Sequence, residues 1–260
     1  MSLDHISYSF LHLLACPYAS FLRYEAALRG PTTPSLALGS ALHFALEEAH
    51  QEGAFSITNL LNTFKKEYNR IIIEEDVFVS YPQLKKLESE GMTMLEVYYA
   101  QVEAGKITKY PLAVEKEFRI PIAGTFLVGR IDKIEHDEYS GEYSLLDYKS
   151  GKSKPEAWTL RHNVQLTAYY WACFEIYGKY PKKLIWHHLR TGELLETERT
   201  PEDVEQLKLM IHNAVKMKDM DIRHRIFHER VCDWCDFKGA VCDDLELEQR
   251  VVGNLDNDNK

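Results

Sequence analysis

Asp147 and Lys149, set one residue apart in the run Leu145, Leu146, Asp147, Tyr148, Lys149, are the residues of this chain whose types and spacing best suit chemistry. In an extended strand the side chains alternate, so Leu145, Asp147 and Lys149 share one face while Leu146 and Tyr148 take the other. Upstream, Gly129 and Asp132 lie in residues 125–136, which read as a second strand. Gly141, in residues 139–142, marks a turn, so a hairpin would bring Asp132 beside Asp147. Two hard carboxylates suit Mg²⁺ or Mn²⁺ and leave positions open for a phosphate and an attacking water. A lysine alongside supplies positive charge where the charge of a transferring phosphoryl group grows. Taken alone, an Asp-x-Lys pair is more often a solvated strand face.

Two helices must then complete such a site. Residues 35–50 form an apolar run in which Gly39 and His43 stand four apart and share a face, the glycine permitting close backbone approach and the histidine able to ligate a metal. Residues 155–177 read as one helix, on which Gln165 and Tyr169 are again neighbours with hydrogen-bonding ends. In their order, Gly39/His43, Gly129/Asp132, Asp147/Lys149 and Gln165/Tyr169 resemble the Gly-x-x-x-His, Gly-x-x-Asp, Asp/Glu-x-Lys and Gln-x-x-x-Tyr elements of the RecB-like branch of the PD-(D/E)XK nuclease superfamily. That branch includes CRISPR-associated exonucleases. The resemblance implies a restriction-endonuclease-like α/β fold, a mixed central sheet flanked by helices. It implies His43, Asp132, Asp147 and the Tyr148 carbonyl as ligands of Mg²⁺ or Mn²⁺. It also places Asp132, Asp147 and Lys149 in the catalytic set, with Gln165 and Tyr169 supporting them or the DNA. The second acid is an aspartate where glutamate is commoner, which shortens its reach.

The cysteines are a second, independent signal. Cys232, Cys235 and Cys242 form C-x2-C-x6-C, and Cys16 stands far away before Pro17. Spacing alone suits tetrahedral zinc or an iron-sulfur cluster equally. The resemblance implies a 4Fe-4S cluster held by Cys16, Cys232, Cys235 and Cys242 that joins the N- and C-terminal regions, with zinc as the alternative. Disulfides are disfavoured because no secretory context is evident. Cys173 reads as a small buried hydrophobe.

The 260 residues, 45% of them hydrophobic, suffice for a substantial core. Residues 1–242 read as a single nuclease domain that includes a wholly helical segment, 58–101, and the cysteine region at 16 and 232–242. Residues 243–260 form an acidic tail carrying −4 of the formal charge of −9. The helical segment is expected to wall the DNA channel. Residues 183–189 and 194–197 read as strands, and Thr200, Pro201 and Asp203 open a further helix. The apolar stretch 6–15 is too short for a leader or a membrane span, so a cytoplasmic protein without membrane contact is expected.

A net acidic chain binds DNA only through local positive charge. Lys149, Lys152, Lys154, Arg161 and His162 form one basic segment, and Arg223, His224, Arg225, His228 and Arg230 another. Tyr98, Tyr99, Trp158 and Trp234 are candidates to stack on unpaired bases, although most such aromatics belong to cores. The expected activity is a metal-dependent DNA exonuclease acting on single-stranded DNA or free ends in repair, recombination or CRISPR adaptation, with helicase, recombination or adaptation proteins as partners. The alternative is a DNA-end-binding subunit of a larger complex with weak or silent chemistry.

Overall fold

The computed structural model describes residues 5–51, 55–220, 224–227, 229–233, 235–239 and 241–242. The acidic tail, Arg223, His228 and Trp234 lie outside the described residues. The backbone divides into two compact units, one of residues 1–31, 121–127 and 208–260, the other of residues 32–120 and 128–207.

In the smaller unit, a two-residue strand β1 (Ile6–Ser7) leads into α1 (Tyr8–Leu13) and α2 (Pro17–Tyr24). Ser7 caps α1 by accepting a hydrogen bond from the Phe10 amide, and Pro17 at the first position of α2 fixes the helix start directly after Cys16. Tyr18, Phe21 and Leu22 bury against Phe237 and Val241, so the N-terminal helices and the C-terminal cysteine region share one small core.

The larger unit begins with three helices, α3 (Pro34–Gln51), α4 (Ile57–Glu74) and α5 (Tyr81–Glu103). Segment 58–101 is therefore two helices and not one. Asp76 adopts a left-handed backbone (φ 48°), and Ser80 and Pro82 start the second helix afresh. Leu38 and Leu42 of α3, Leu60 and Phe64 of α4, and Leu95 and Tyr98 of α5 bury in one core with Leu146 and Tyr148. The apolar stripes of α4 and α5 thus back the strand face opposite Asp147 and Lys149, which is not the position of a wall at the entrance to those two groups.

Strands β2 (Ala113–Ile122), β3 (Thr125–Asp137), β4 (Glu142–Lys149), β5 (Lys183–His188) and β6 (Glu193–Thr197) make the sheet. β2 pairs with β3, and the order then runs β3-β4-β5-β6. β3 and β4 are antiparallel around the expected turn, where Gly141 supplies a φ of 66°; β4 and β5 are parallel, and β5 and β6 antiparallel. The sheet is therefore mixed and its helices flank it, as the resemblance implies.

A parallel pair demands a crossover. Here it is α6 (Ala157–Arg161) and α7 (Val164–Tyr177). The single helix expected over residues 155–177 is broken because Asn163 caps α7, its side chain accepting from the Leu166 amide at 3.0 Å. The buried Arg199 guanidinium braces the break, donating to Leu160 O and Asn163 O beside the backbone bonds those carbonyls already accept. Finally α8 (Pro201–Asp219) opens with Asp203 Oδ2 accepting from the Thr200 amide, and α9 (Glu229–Cys232) is a single turn. Among the described residues, no helix is long and apolar enough to cross a membrane.

Candidate active site

The β3–β4 register sets Lys133 opposite Leu146, so Asp132 falls opposite Asp147 one step further along. The Tyr148 amide donates to Asp132 Oδ2 at 2.7 Å, which locks that carboxylate to the strand carrying Asp147. Both acids are buried, Asp147 to 1% exposure. From α3, His43 places Nε2 3.2 Å from the Tyr148 carbonyl and Nδ1 3.6 Å from Asp132 Oδ2. A carbonyl only accepts, so a proton on Nε2 serves Tyr148 and leaves Nδ1 facing the acids.

The structure adds a residue that sequence reasoning missed. Glu115 Oε1 lies 3.3 Å from His43 Nδ1, and ligand atoms of His43, Glu115 and Asp132 all fall within 4.8 Å of one another. Glu115 sits on β2 with a left-handed backbone (φ 46°), a conformation that costs a residue other than glycine about 1–2 kcal/mol. Arg130 holds its other oxygen, Nε to Oε2 at 2.6 Å. The alternation of Glu115 and Glu117 along β2 offers no sequence reason to choose one over the other; only the local kink turns Glu115 inward.

The electrostatics fit a divalent cation. Burial opposes charge on His43, but Asp132, Glu115 and Asp147 outweigh it and raise the imidazole pKa. Burial raises the Asp132 pKa, which His43 and Lys149 draw back down and Asp147 pushes up again. Lys149 Nζ lies 2.7 Å from Asp147 Oδ2, yet neither buried Asp147 oxygen accepts a hydrogen bond of regular geometry. Three closely set acids, with the His43 imidazole beside them, make a largely hard-oxygen donor set suited to Mg²⁺ or Mn²⁺.

Lys149 is held from the other side by α7. Its ammonium donates to Gln165 Oε1 at 3.0 Å, and Gln165 Nε2 donates to the Tyr169 hydroxyl at 2.9 Å. An ammonium cannot accept, so this chain fixes the Gln165 amide orientation. Burial, then Asp132 and Asp147, hold the Tyr169 pKa far above its usual value, so the phenol stays neutral. The motif glycines have separate tasks. A Cβ on Gly39 would press on Ser150 Oγ at 3.2 Å, and one on Gly129 would lie 2.5 Å from the Phe118 ring, which meets Tyr169 edge-on.

His43, Asp132, Asp147, the Tyr148 carbonyl, Lys149, Gln165 and Tyr169 thus converge with Glu115 in the larger unit. In the smaller unit, Cys16, Cys232, Cys235 and Cys242 line one largely apolar cavity of about 150 Å³. Cys173 is fully buried in α7, where desolvation pushes its thiol up to about 12. The basic segments are mostly committed. Lys154 pairs with Glu193 and Arg161 grips Asp203 with two bonds, while Lys152, two residues before Lys154, is exposed. Arg225 stacks its guanidinium on Tyr18.

A mixed sheet with acids on paired strands, a lysine two residues on and a helix histidine completing the donor set defines a nuclease of the α/β class. The model of the PD-(D/E)XK nuclease superfamily matches residues 5–243, and the chain belongs to that superfamily. A crystal structure from Eubacterium rectale, named "Putative exonuclease", aligns over 89% of this chain and 87% of its own with a TM-score of 0.57 at 14% identity, a likeness of fold. A second crystal structure, of SSO0001, covers 91% of this chain and 85% of its own at 13% identity with a TM-score of 0.42. No curated protein matches the chain.

Proposed function

We propose that this protein is a metal-dependent DNA exonuclease of the RecB-like branch that hydrolyses phosphodiester bonds at the His43, Glu115, Asp132 and Asp147 site. The observation that carries this reading is the cluster of His43, Glu115 and Asp132, whose ligand atoms lie within 4.8 Å of one another, beside the buried Asp147 that pairs with Lys149. Lys149 and Arg130 each pair with one acid, and three carboxylates packed this closely remain costly unless a further cation joins them. His43, Glu115, Asp132 and Asp147 would hold Mg²⁺ or Mn²⁺, which supplies water activation and neutralisation of phosphate charge. The Tyr148 carbonyl is shared with His43 Nε2 and orients that ring. Lys149, steadied by Gln165 and Tyr169, presents an ammonium to the phosphate as charge develops, while Asp132 and its bond to the Tyr148 amide keep β3 and β4 in register.

A role in repair, recombination or CRISPR adaptation follows from the order of the four motif elements and is tested after the chemistry. With linear and circular, single- and double-stranded DNA, Mg²⁺ or Mn²⁺ should support digestion from free ends. Asp132→Ala and Lys149→Ala, both folded, should be inactive. Undiminished cleavage by folded Asp132→Ala would remove the proposed site.

The second part of the reading is a structural 4Fe-4S cluster on Cys16, Cys232, Cys235 and Cys242. All four line one cavity. The resemblance, with one cysteine before a proline and a C-terminal triple, supports the polynuclear cluster over zinc.

A further inference from the structure

We propose that Trp158 is a stacking platform for an unpaired base of the DNA strand whose phosphate is cut at Asp147 and Lys149, an inference that rests on the proposed nuclease reading. Of the four aromatics singled out in the sequence as candidates to stack on bases, Tyr98 is fully buried, Tyr99 packs against the core, Trp234 lies outside the described residues, and Trp158 is 72% exposed. An indole left so open on an ordered helix gives up apolar burial that the fold does not recover.

The ring is not loosely held. His162 Nδ1 bonds to the Trp158 carbonyl at 2.8 Å, and its imidazole lies against the indole with centroids 3.8 Å apart. One side of the indole therefore has a neighbour fixed by its own hydrogen bond. A platform braced in this way loses little rotamer freedom on binding.

Its position relative to the chemistry follows from the chain. Gln165 touches the Lys149 ammonium, and Trp158 precedes Gln165 by one helical turn and a short link. Four residues at ~1.5 Å rise and three at no more than ~3.6 Å place the two backbones within about 17 Å, or about five stacked nucleotides at 3.4 Å each. Tyr139, more exposed still, sits at the opposite end of β4 from Lys149, about 23 Å away at ~3.3 Å per residue. Between Lys149 and Trp158, exposed Lys152 offers a charge for the intervening backbone phosphates.

In a duplex the faces of internal bases are already stacked, so a side-on platform selects an unpaired strand. Steady-state cleavage of a linear single-stranded oligonucleotide and of a blunt duplex in Mg²⁺ tests this with wild type, Trp158→Ala and Trp158→Phe. Trp158→Ala should raise KM for the single strand by about 5- to 150-fold with kcat and Tm nearly unchanged, spare the duplex, and be largely rescued by phenylalanine. A single abasic nucleotide moved along positions one to five from the cut should weaken wild type at one position and leave Trp158→Ala indifferent there. An active wild type with an unchanged KM in Trp158→Ala, or an equal loss on the blunt duplex, would overturn the platform and leave the nuclease reading standing. A wild type inert on every DNA would overturn the nuclease reading, and the platform with it.

Discussion

Glu115 Oε1 approaches His43 Nδ1 to 3.3 Å from a strand residue whose backbone is left-handed, so a strained position carries the carboxylate proposed as a metal ligand. Strain of that kind persists where the surrounding structure requires it. Glu115→Gln keeps the size and the Arg130 contact but removes a charge. The shift in Tm produced by Mn²⁺ on the wild type should shrink, and cleavage should fall at least about tenfold, while the metal-free protein stays folded. A full Mn²⁺ shift in calorimetry of Glu115→Gln would exclude it as a ligand.

Gln165 and Tyr169 act through Lys149 and should show graded effects. Gln165→Ala leaves the ammonium with Asp147 alone and should lower kcat about 10- to 100-fold with little change in KM. Tyr169→Phe removes only the outer bond and should be milder. If both variants change KM alone, their role is in holding DNA.

Acid should loosen the larger unit through His187. It is fully buried, its Nε2 bonds to Gln101 Oε1 at 3.0 Å, and burial followed by the charge of Lys133 lowers its pKa to about 3. The unfolded chain binds that proton first, near pH 6.5, so the stability held above 6.5 is lost as pH falls toward 3. At pH 5 the loss from this group is about 2 kcal/mol. Urea unfolding of wild type minus His187→Gln, at pH 7 and pH 5, isolates it from the carboxylates; parallel stability curves would contradict the assignment.

Protein purified without oxygen should contain iron and sulfide near four of each per chain. Cys16→Ala and Cys242→Ala should each lower both contents and the Tm together, because a group bound only by the folded state is linked to folding. Stoichiometric zinc without sulfide would favour the mononuclear alternative.

Much of this was legible in the chain because strand alternation is strict. That alternation and the turn at Gly141 were enough to put Asp132 against Asp147 and to part Lys149 from Tyr148. The helix breaks at Asp76 and Asn163 were not seen, since hydrophobic periodicity continues through both and the deciding features are a cap and a backbone sign. Glu115 was hidden for a related reason. A kink that re-aims one side chain leaves no periodic trace in a charged strand. The link from Gln165 to Lys149 came from resemblance alone, because its 16-residue separation depends on the crossover.

That crossover has an evolutionary reading. Because β4 and β5 run parallel, the chain leaves the sheet immediately after Lys149 and must return along α6 and α7 before β5 begins. Residues 150–156 are thus anchored at one end to the reactive lysine and lead at the other into the turn that bears Trp158, yet contribute no strand to the sheet. Lengthening or recharging that stretch would alter which strands are admitted while the acids opposite remain as they are. Substrate preference and bond-breaking are therefore separable traits in this architecture, free to diverge at different rates.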